Sequence, residues 1–241
     1  MTLVHRSLVY YWRTNLAVIL GVATAVAVLS GALLVGDSVR ASLRDLVLSR
    51  LGKTQAVVTS TQFFREQLAA ELLGSAPLIV MQGVITSEKD GRRASKVAVY
   101  GVDDRFFQFN GYSQSPPSGN EARLTSALAH ELGVQTGGTI LLRIEKPSAI
   151  PRESIQGHKD DPGRTLRLTA VDDAPEFALE PSQGDVSGIY VSLRRLQHDL
   201  AQQSRVNALL LPSPEFPKDK VTLDDLGIKI QIGRASCRER V

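Results

Sequence analysis

Leu16–Val35, LAVILGVATAVAVLSGALLV, decides how the rest of this chain is read, because its twenty residues include no charged side chain. As an α-helix rising ~1.5 Å per residue it is about 30 Å long, the thickness of a bilayer's hydrocarbon core. A helix on the surface of a soluble domain needs a polar face, and no charged residue here supplies one. The run predicts a transmembrane helix over 16–36, a short segment 1–15 before it, and an outer domain over 37–231. Leu16 and Val35 mark the ends of the span.

The flanks orient the span. His5, Arg6 and Arg13 precede it, and the first acidic residue is Asp37. Basic residues beside a span stay in the cytoplasm, so the amino terminus is predicted inside the inner membrane and residues 37–231 outside it. Tyr11, Trp12 and Arg13 stand where amphipathic and basic side chains settle at the headgroup level, and they are the predicted interface anchors. The alternative is a cleaved secretion signal with Ser30-Gly31-Ala32 as its small-residue site. Signal apolar regions run about 7–15 residues, and this run is longer, which favours an anchor.

The last ten residues, Ile232–Val241 (IGRASCRERV), have no apolar period and hold the only cysteine, Cys237. They resemble the in-frame translation of a sequencing-adapter read-through. Residues 232–241 are therefore set aside as an artefactual tail, and the genuine chain is expected to be a fragment ending near Gln231. The formal net charge is +3; without the tail's three arginines and one glutamate it is +1, and without Arg6 and Arg13 the outer segment carries −1. The basic balance thus comes from the two ends, with no basic patch to point to nucleic acid. With Cys237 set aside, disulfides and thiol chemistry are excluded.

In the outer segment, Val39, Leu43, Leu46, Val47 and Leu51 recur at helical spacing before Gly52, predicting an amphipathic helix over 38–51 that leaves the membrane. Strands are predicted over 55–59, 78–86, 94–102, 139–145, 165–171, 188–191 and 206–211, with Glu88-Lys89-Asp90-Gly91 as a hairpin turn. Helices are predicted over 62–73, 124–132 and 192–203, the last with Ser192 as N-cap. Residues 103–108 read as a turn or short helix. Residues 111–120 and 146–163 read as loops. Strands and helices mix without a βαβ rhythm, so the fold class is α+β: one transmembrane helix, then a mixed α/β extracytoplasmic domain with room for two subdomains.

The search for chemistry returns little. No GxxxxGK[ST] loop, HExxH or GxSxG elbow occurs. His130-Glu131 and His198-Asp199 are neighbours in predicted helices, about 100° apart around the axis, so neither makes a ligand set. His5 and His158 stand apart from them. Asp103-Asp104, Asp160-Asp161, Asp172-Asp173 and Asp224-Asp225 are adjacent pairs, whereas acid–base catalysis needs converging carboxylates. No catalytic, cofactor-binding or metal residue is assigned, and the chain is not expected to be an enzyme.

The combination of YYWRTNLAVILGVA (Tyr10–Ala23), one span and GDSVRASLRDLVLSRLG (Gly36–Gly52) resembles the start of an FtsX-like ABC transporter permease with a MacB-like periplasmic core domain. VYGVDDRFFQF (Val99–Phe109), LTSALAHELGVQTGGTILLRI (Leu124–Ile144) and the strand–helix–strand unit Ile189–Leu211 are similar to further segments of that family. One departure is Gly138, at a turn position the family often fills with Asp; glycine accepts turn conformations closed to other residues. The resemblance implies a permease subunit without ATPase activity of its own, with further spans beyond the outer domain. It implies a separate cytoplasmic ABC ATPase as partner, the lipid bilayer as setting, a second permease copy as a further partner, and no cofactor. The implied work is coupling that ATPase to movement of the outer domain for export or extraction of hydrophobic cargo, with Ser38–Leu51 as the lever. A single-span anchored sensor or binding domain would present the same anchor and outer domain, and an anchored envelope enzyme is the third class.

Overall fold

A computed structural model describes residues 2–145, 163–180, 184–214, 221–222 and 225. The chain divides into two compact units, Met1–Ser49 and Arg50–Val241. In the first unit, α1 covers Thr2–Tyr10, and α2, Trp12–Leu51, runs 40 residues and ends inside the second. The predicted span and the predicted amphipathic helix are therefore one element. Its hydroxyls are satisfied by its own backbone: Thr24 Oγ1 donates to Gly21 O at 2.9 Å and Ser30 Oγ to Val26 O at 2.8 Å. That arrangement suits a helix in hydrocarbon, where no water can take an unpaired donor. Among the described residues it is the one helix long and apolar enough to cross a membrane.

The second unit is built on eight strands: β1 Ala56–Arg65, β2 Ala76–Ser87, β3 Arg93–Val102, β4 Glu121–Leu124, β5 Thr139–Glu145, β6 Gly163–Val171, β7 Gly188–Ser192 and β8 Arg205–Leu211. They join in the order β1-β8-β2-β3-β7-β4-β6-β5, and β5 then returns to β2. Six strands (β2, β3, β7, β4, β6 and β5) thus close into a barrel, and β8 with β1 extends the sheet from the first half of β2. The β3–β7 and β4–β6 pairs are parallel and the rest antiparallel, so the sheet is mixed, as the α+β reading expects. Arg50–Val241 forms one compact unit.

Alternation along β2 sorts the side chains onto two cores. Ile79 and Ile85 face the barrel interior with Val99, Ile140, Leu142 and Ile189, all fully buried. Ala76 and Leu78 face the other way, onto a second core with Tyr100, Phe106, Phe177 and Tyr190. The barrel core is covered by short helices: α3 Gln67–Glu71, α5 Ser126–Leu132 and α6 Leu193–Asp199, through Leu68, Leu128, Leu132 and Leu196. The second core is covered by α4 Asp104–Asn110 and by residues 174–179. Its rings meet edge to face, with centroids 5.1 Å apart for Phe106 and Phe177 and 5.5 Å for Tyr100 and Phe177.

Several expectations are corrected. The helix expected over 62–73 shrinks to α3, because Phe63 and Phe64 continue β1, with Phe64 opposite Val206 on β8. The same apolar residues reach the barrel core either way, and long-range pairing overrides their helical spacing. Residues 121–124 form β4 between β6 and β7. The helix expected over 192–203 stops at Asp199: Ala201 takes φ 56°, its N–H bonds His198 O, and Gln202 N–H bonds Gln197 O, a Schellman ending with alanine in the left-handed position. Ser192 sits at the N-cap but its hydroxyl makes no cap bond. Residues 146–162, expected to be a loop, and the tail 232–241 lie outside the described residues.

Between its pairings with β8 and β5, β2 has backbone groups that no strand reaches. Asn207 of β8 fills that gap: its Oδ1 accepts from Val80 N–H at 2.8 Å and its Nδ2 donates to Val80 O at 2.7 Å. One side-chain amide here does the work of a strand residue. Asn207→Leu leaves both Val80 groups unpaired, and denaturant unfolding should show a loss of about 1–3 kcal/mol. Asn207→Gln should lose less if its amide still reaches Val80.

Candidate functional site

No group of three or more His, Cys, Asp or Glu converges on a possible metal position among the described residues. The paired aspartates serve the fold. Asp103 caps α4, accepting from Arg105 N–H at 3.0 Å and from the Arg105 guanidinium at 2.5 Å. Arg105 also pairs with Glu66, and Gln197 Nε2 donates to the same Glu66 carboxylate at 2.7 Å, tying the end of β1 to α4 and α6. Burial works against the Arg105 charge, but Asp103 and Glu66 outweigh it and leave its pKa raised. Asp104 is exposed. Asp172 is mostly exposed, 3.8 Å from Arg123, and Asp173 contributes its carbonyl to Gln114.

Asp225 is buried against Arg65 Nε at 2.9 Å and accepts from Thr222 N–H at 2.9 Å. Burial alone would raise its carboxyl; Thr222 and Arg65 together hold it below the usual carboxylate range. Asp224, Asp160, Asp161 and His158 lie outside the described residues. His130 is exposed at the end of α5. His198 reaches its neighbour after all, with Nδ1 3.4 Å from Asp199 Oδ1, closer than ideal helical spacing suggested. Asp199 is committed to Arg195 at 2.5 Å and Arg164 at 3.5 Å, so the pair remains an ion-pair cluster.

The residues expected at the membrane interface lie at the start of α2 or just before it. The Arg13 guanidinium stacks 5.6 Å from the Trp12 ring centroid, and Tyr10 and Tyr11 meet edge to face at 4.8 Å. Leu16 and Val35 are exposed along α2, 50% and 64% respectively. An apolar side chain left bare at both ends of the run is what a lipid-facing helix presents.

The feature that sequence reasoning missed is the seat of the last turn of α2 within the second unit. Arg50 is buried, its carbonyl accepts from Ala178 N–H at 3.3 Å, and its Nε lies 4.0 Å from Glu176. Gly52 ends the helix at φ 59°. A Cβ there would stand 2.5 Å from Asn110 Oδ1. Asn110 is buried at the end of α4, donating from Nδ2 to Phe106 O at 3.1 Å while its Oδ1 accepts from Lys53 N–H at 3.4 Å. The segment that holds Arg50 also carries Phe177 into the aromatic core, where burial pushes the Tyr100 phenol up to about 12. Asn110-Gly111 after an aromatic run signals a helix end, but nothing local in the sequence couples it to Gly52.

This seat can be tested against a neutral glycine. Gly91, in the β2–β3 turn, has φ 66° with nothing near its Cβ position. Gly91→Ala should cost the left-handed backbone term alone, about 1–2 kcal/mol, and Gly52→Ala should cost more because its methyl meets Asn110. Equal losses by denaturant unfolding would show that the junction is slack.

No family model matches the sequence, and no curated protein matches it. Among solved structures, the chain is similar to the periplasmic region of MacB from Actinobacillus actinomycetemcomitans, at 10% identity over 68% of this chain and 76% of that one, with a TM-score of 0.39. It is also similar to the extracellular domain of the noncanonic ABC-type transporter YknZ from Gram-positive bacteria, at 9% identity over 72% of this chain and 94% of that one, with a TM-score of 0.43.

Proposed function

We propose that this chain is the membrane permease subunit of an ABC transporter, in which a separate cytoplasmic ATPase moves the outer unit through the first membrane helix. The observation that carries the reading is the single 40-residue helix Trp12–Leu51. At ~1.5 Å per residue it extends about 60 Å, twice the thickness of a bilayer's hydrocarbon core. Its charge-free stretch Leu16–Val35 suits lipid, and its last part, Ser38–Leu51, intersperses apolar residues with Arg40, Arg44 and Asp45. An unbroken hydrogen-bonded helix passes a displacement at one end to the other, and the last turn is seated on α4 through Gly52 and Asn110.

The quoted segments at Tyr10–Ala23, Gly36–Gly52, Val99–Phe109, Leu124–Ile144 and Ile189–Leu211 support the same reading by their resemblance to FtsX-like permeases. Export or extraction of hydrophobic cargo is the task that goes with it. Arg6 and Arg13 before the span support a cytoplasmic amino terminus, and a second permease copy is the further partner in this reading.

The direct test is the uninterrupted gene. Read past codon 231, it should encode three or more further hydrophobic runs of span length and lie beside an ABC ATPase gene. A reading frame with no further hydrophobic run would overturn the permease reading and leave an anchored domain.

A further inference from the structure

At one mouth of the barrel, where β2 ends and β5 begins, lies a cavity of about 260 Å³. Its floor and walls come from Ser87, Lys89, Gln135, Thr136 and Thr139, with Gly133, Val134 and Gly138 completing it. No carboxylate lines it. Ser87 stands opposite Ile140 on the inner face of the barrel and is 2% exposed. Its hydroxyl has no hydrogen-bond partner among the described residues. It is the polar end of an otherwise apolar interior, and it opens into the cavity.

Lys89 brings the cavity's one charge. Its neighbour Glu88 is committed to Arg167 at 2.8 Å, and no carboxylate pairs with Lys89 among the described residues. At the rim, Arg92 and Asp90 flank Gly133: a Cβ there would lie 3.1 Å from Arg92 Nη1 and 3.4 Å from Asp90 Oδ2. The rim therefore holds two cations against one anion.

The far wall is the turn Gln135–Gly138, closed by Gly138 N–H to Gln135 O at 2.9 Å. A Cβ on Gly138 would sit 2.9 Å from both Gln135 O and Val134 Cγ1, so a side chain there would force the turn to shift. This wall brings no negative charge to the cavity.

Two hydroxyls, from Ser87 and Thr136, one amide and one ammonium around a space that no acid lines select an anion that offers several acceptor oxygens. A hydrocarbon ligand would bury the Ser87 hydroxyl without a partner, which is costly. A phosphate group matches better, since a lysine binds it as a point charge and its remaining oxygens accept from hydroxyls. At ~30 Å³ per water molecule the cavity has room for a phosphate with a small polar substituent. We propose that the mouth of the barrel binds one phosphate group, carried by a small polar molecule or by a lipid headgroup, through Lys89 and the hydroxyls of Ser87 and Thr136. This site stands independently of the permease reading.

The test uses the full chain in nanodiscs of phosphatidylcholine, titrated calorimetrically with glycerol 3-phosphate. One saturable site per chain is expected. Lys89→Ala should weaken it about tenfold or more, Ser87→Ala should weaken it by less, and Arg194→Ala, on an exposed face of α6, should leave it unchanged. The same titration in discs containing phosphatidylglycerol separates the two sources: competition assigns the site to a lipid headgroup, and unchanged affinity assigns it to a soluble phosphate compound. No saturable heat in phosphatidylcholine discs, or equal affinities for Lys89→Ala and Arg194→Ala, would overturn the proposal.

Discussion

The second unit depends on one strand, β2, being paired along both edges by three partners. Its first residues bond β8, its last bond β5, and β3 runs along the opposite edge. That change of partner closes six strands into a ring and leaves β8 and β1 as an extension of the same sheet. Alternation along β2 then supplies both cores: one face fills the barrel with Ile79 and Ile85, and the other lays Leu78 beneath the aromatic cluster. The seam between β8 and β5 is bridged by Asn207, because a buried strand edge cannot be left with unpaired backbone groups.

Local patterns carried much of this into the sequence. The span was legible because lipid allows no charge over its length, and the hairpin turn at Glu88–Gly91 because both flanking runs alternate. Strand β5 was placed to the residue, since Thr139–Glu145 buries every second side chain. Where the reading went wrong, two structures shared one pattern. Phe63, Phe64, Leu68 and Leu72 have helical spacing, yet Phe63 and Phe64 belong to β1, and pairing with β8 made the choice. Strand β4 is four residues between a loop and a helix, too short to show a period.

What no local pattern could show is closure. The β2–β5 contact joins Gly83 to Ile144, and only the three-dimensional pairing reveals it. The same holds for the seat of α2, where Gly52 and Asn110 meet across more than fifty residues. The paired aspartates illustrate the converse. Their sequence neighbours drew attention, but the partners that explain them, Arg105 for Asp103 and Arg65 for Asp225, come from spacing or distance that adjacency does not reveal.

Leu16–Val35 is proposed to hold the second unit on the outer side of a membrane. Cysteine labelling tests it directly, in a chain with Cys237 replaced by serine. A cysteine at Leu73, 95% exposed in the outer unit, and one at Ser7, exposed in α1, are reacted separately with a membrane-impermeant maleimide on intact spheroplasts. Leu73→Cys is expected to label in intact spheroplasts, and Ser7→Cys only after lysis. Labelling of both before lysis, or of Ser7→Cys alone, would contradict it.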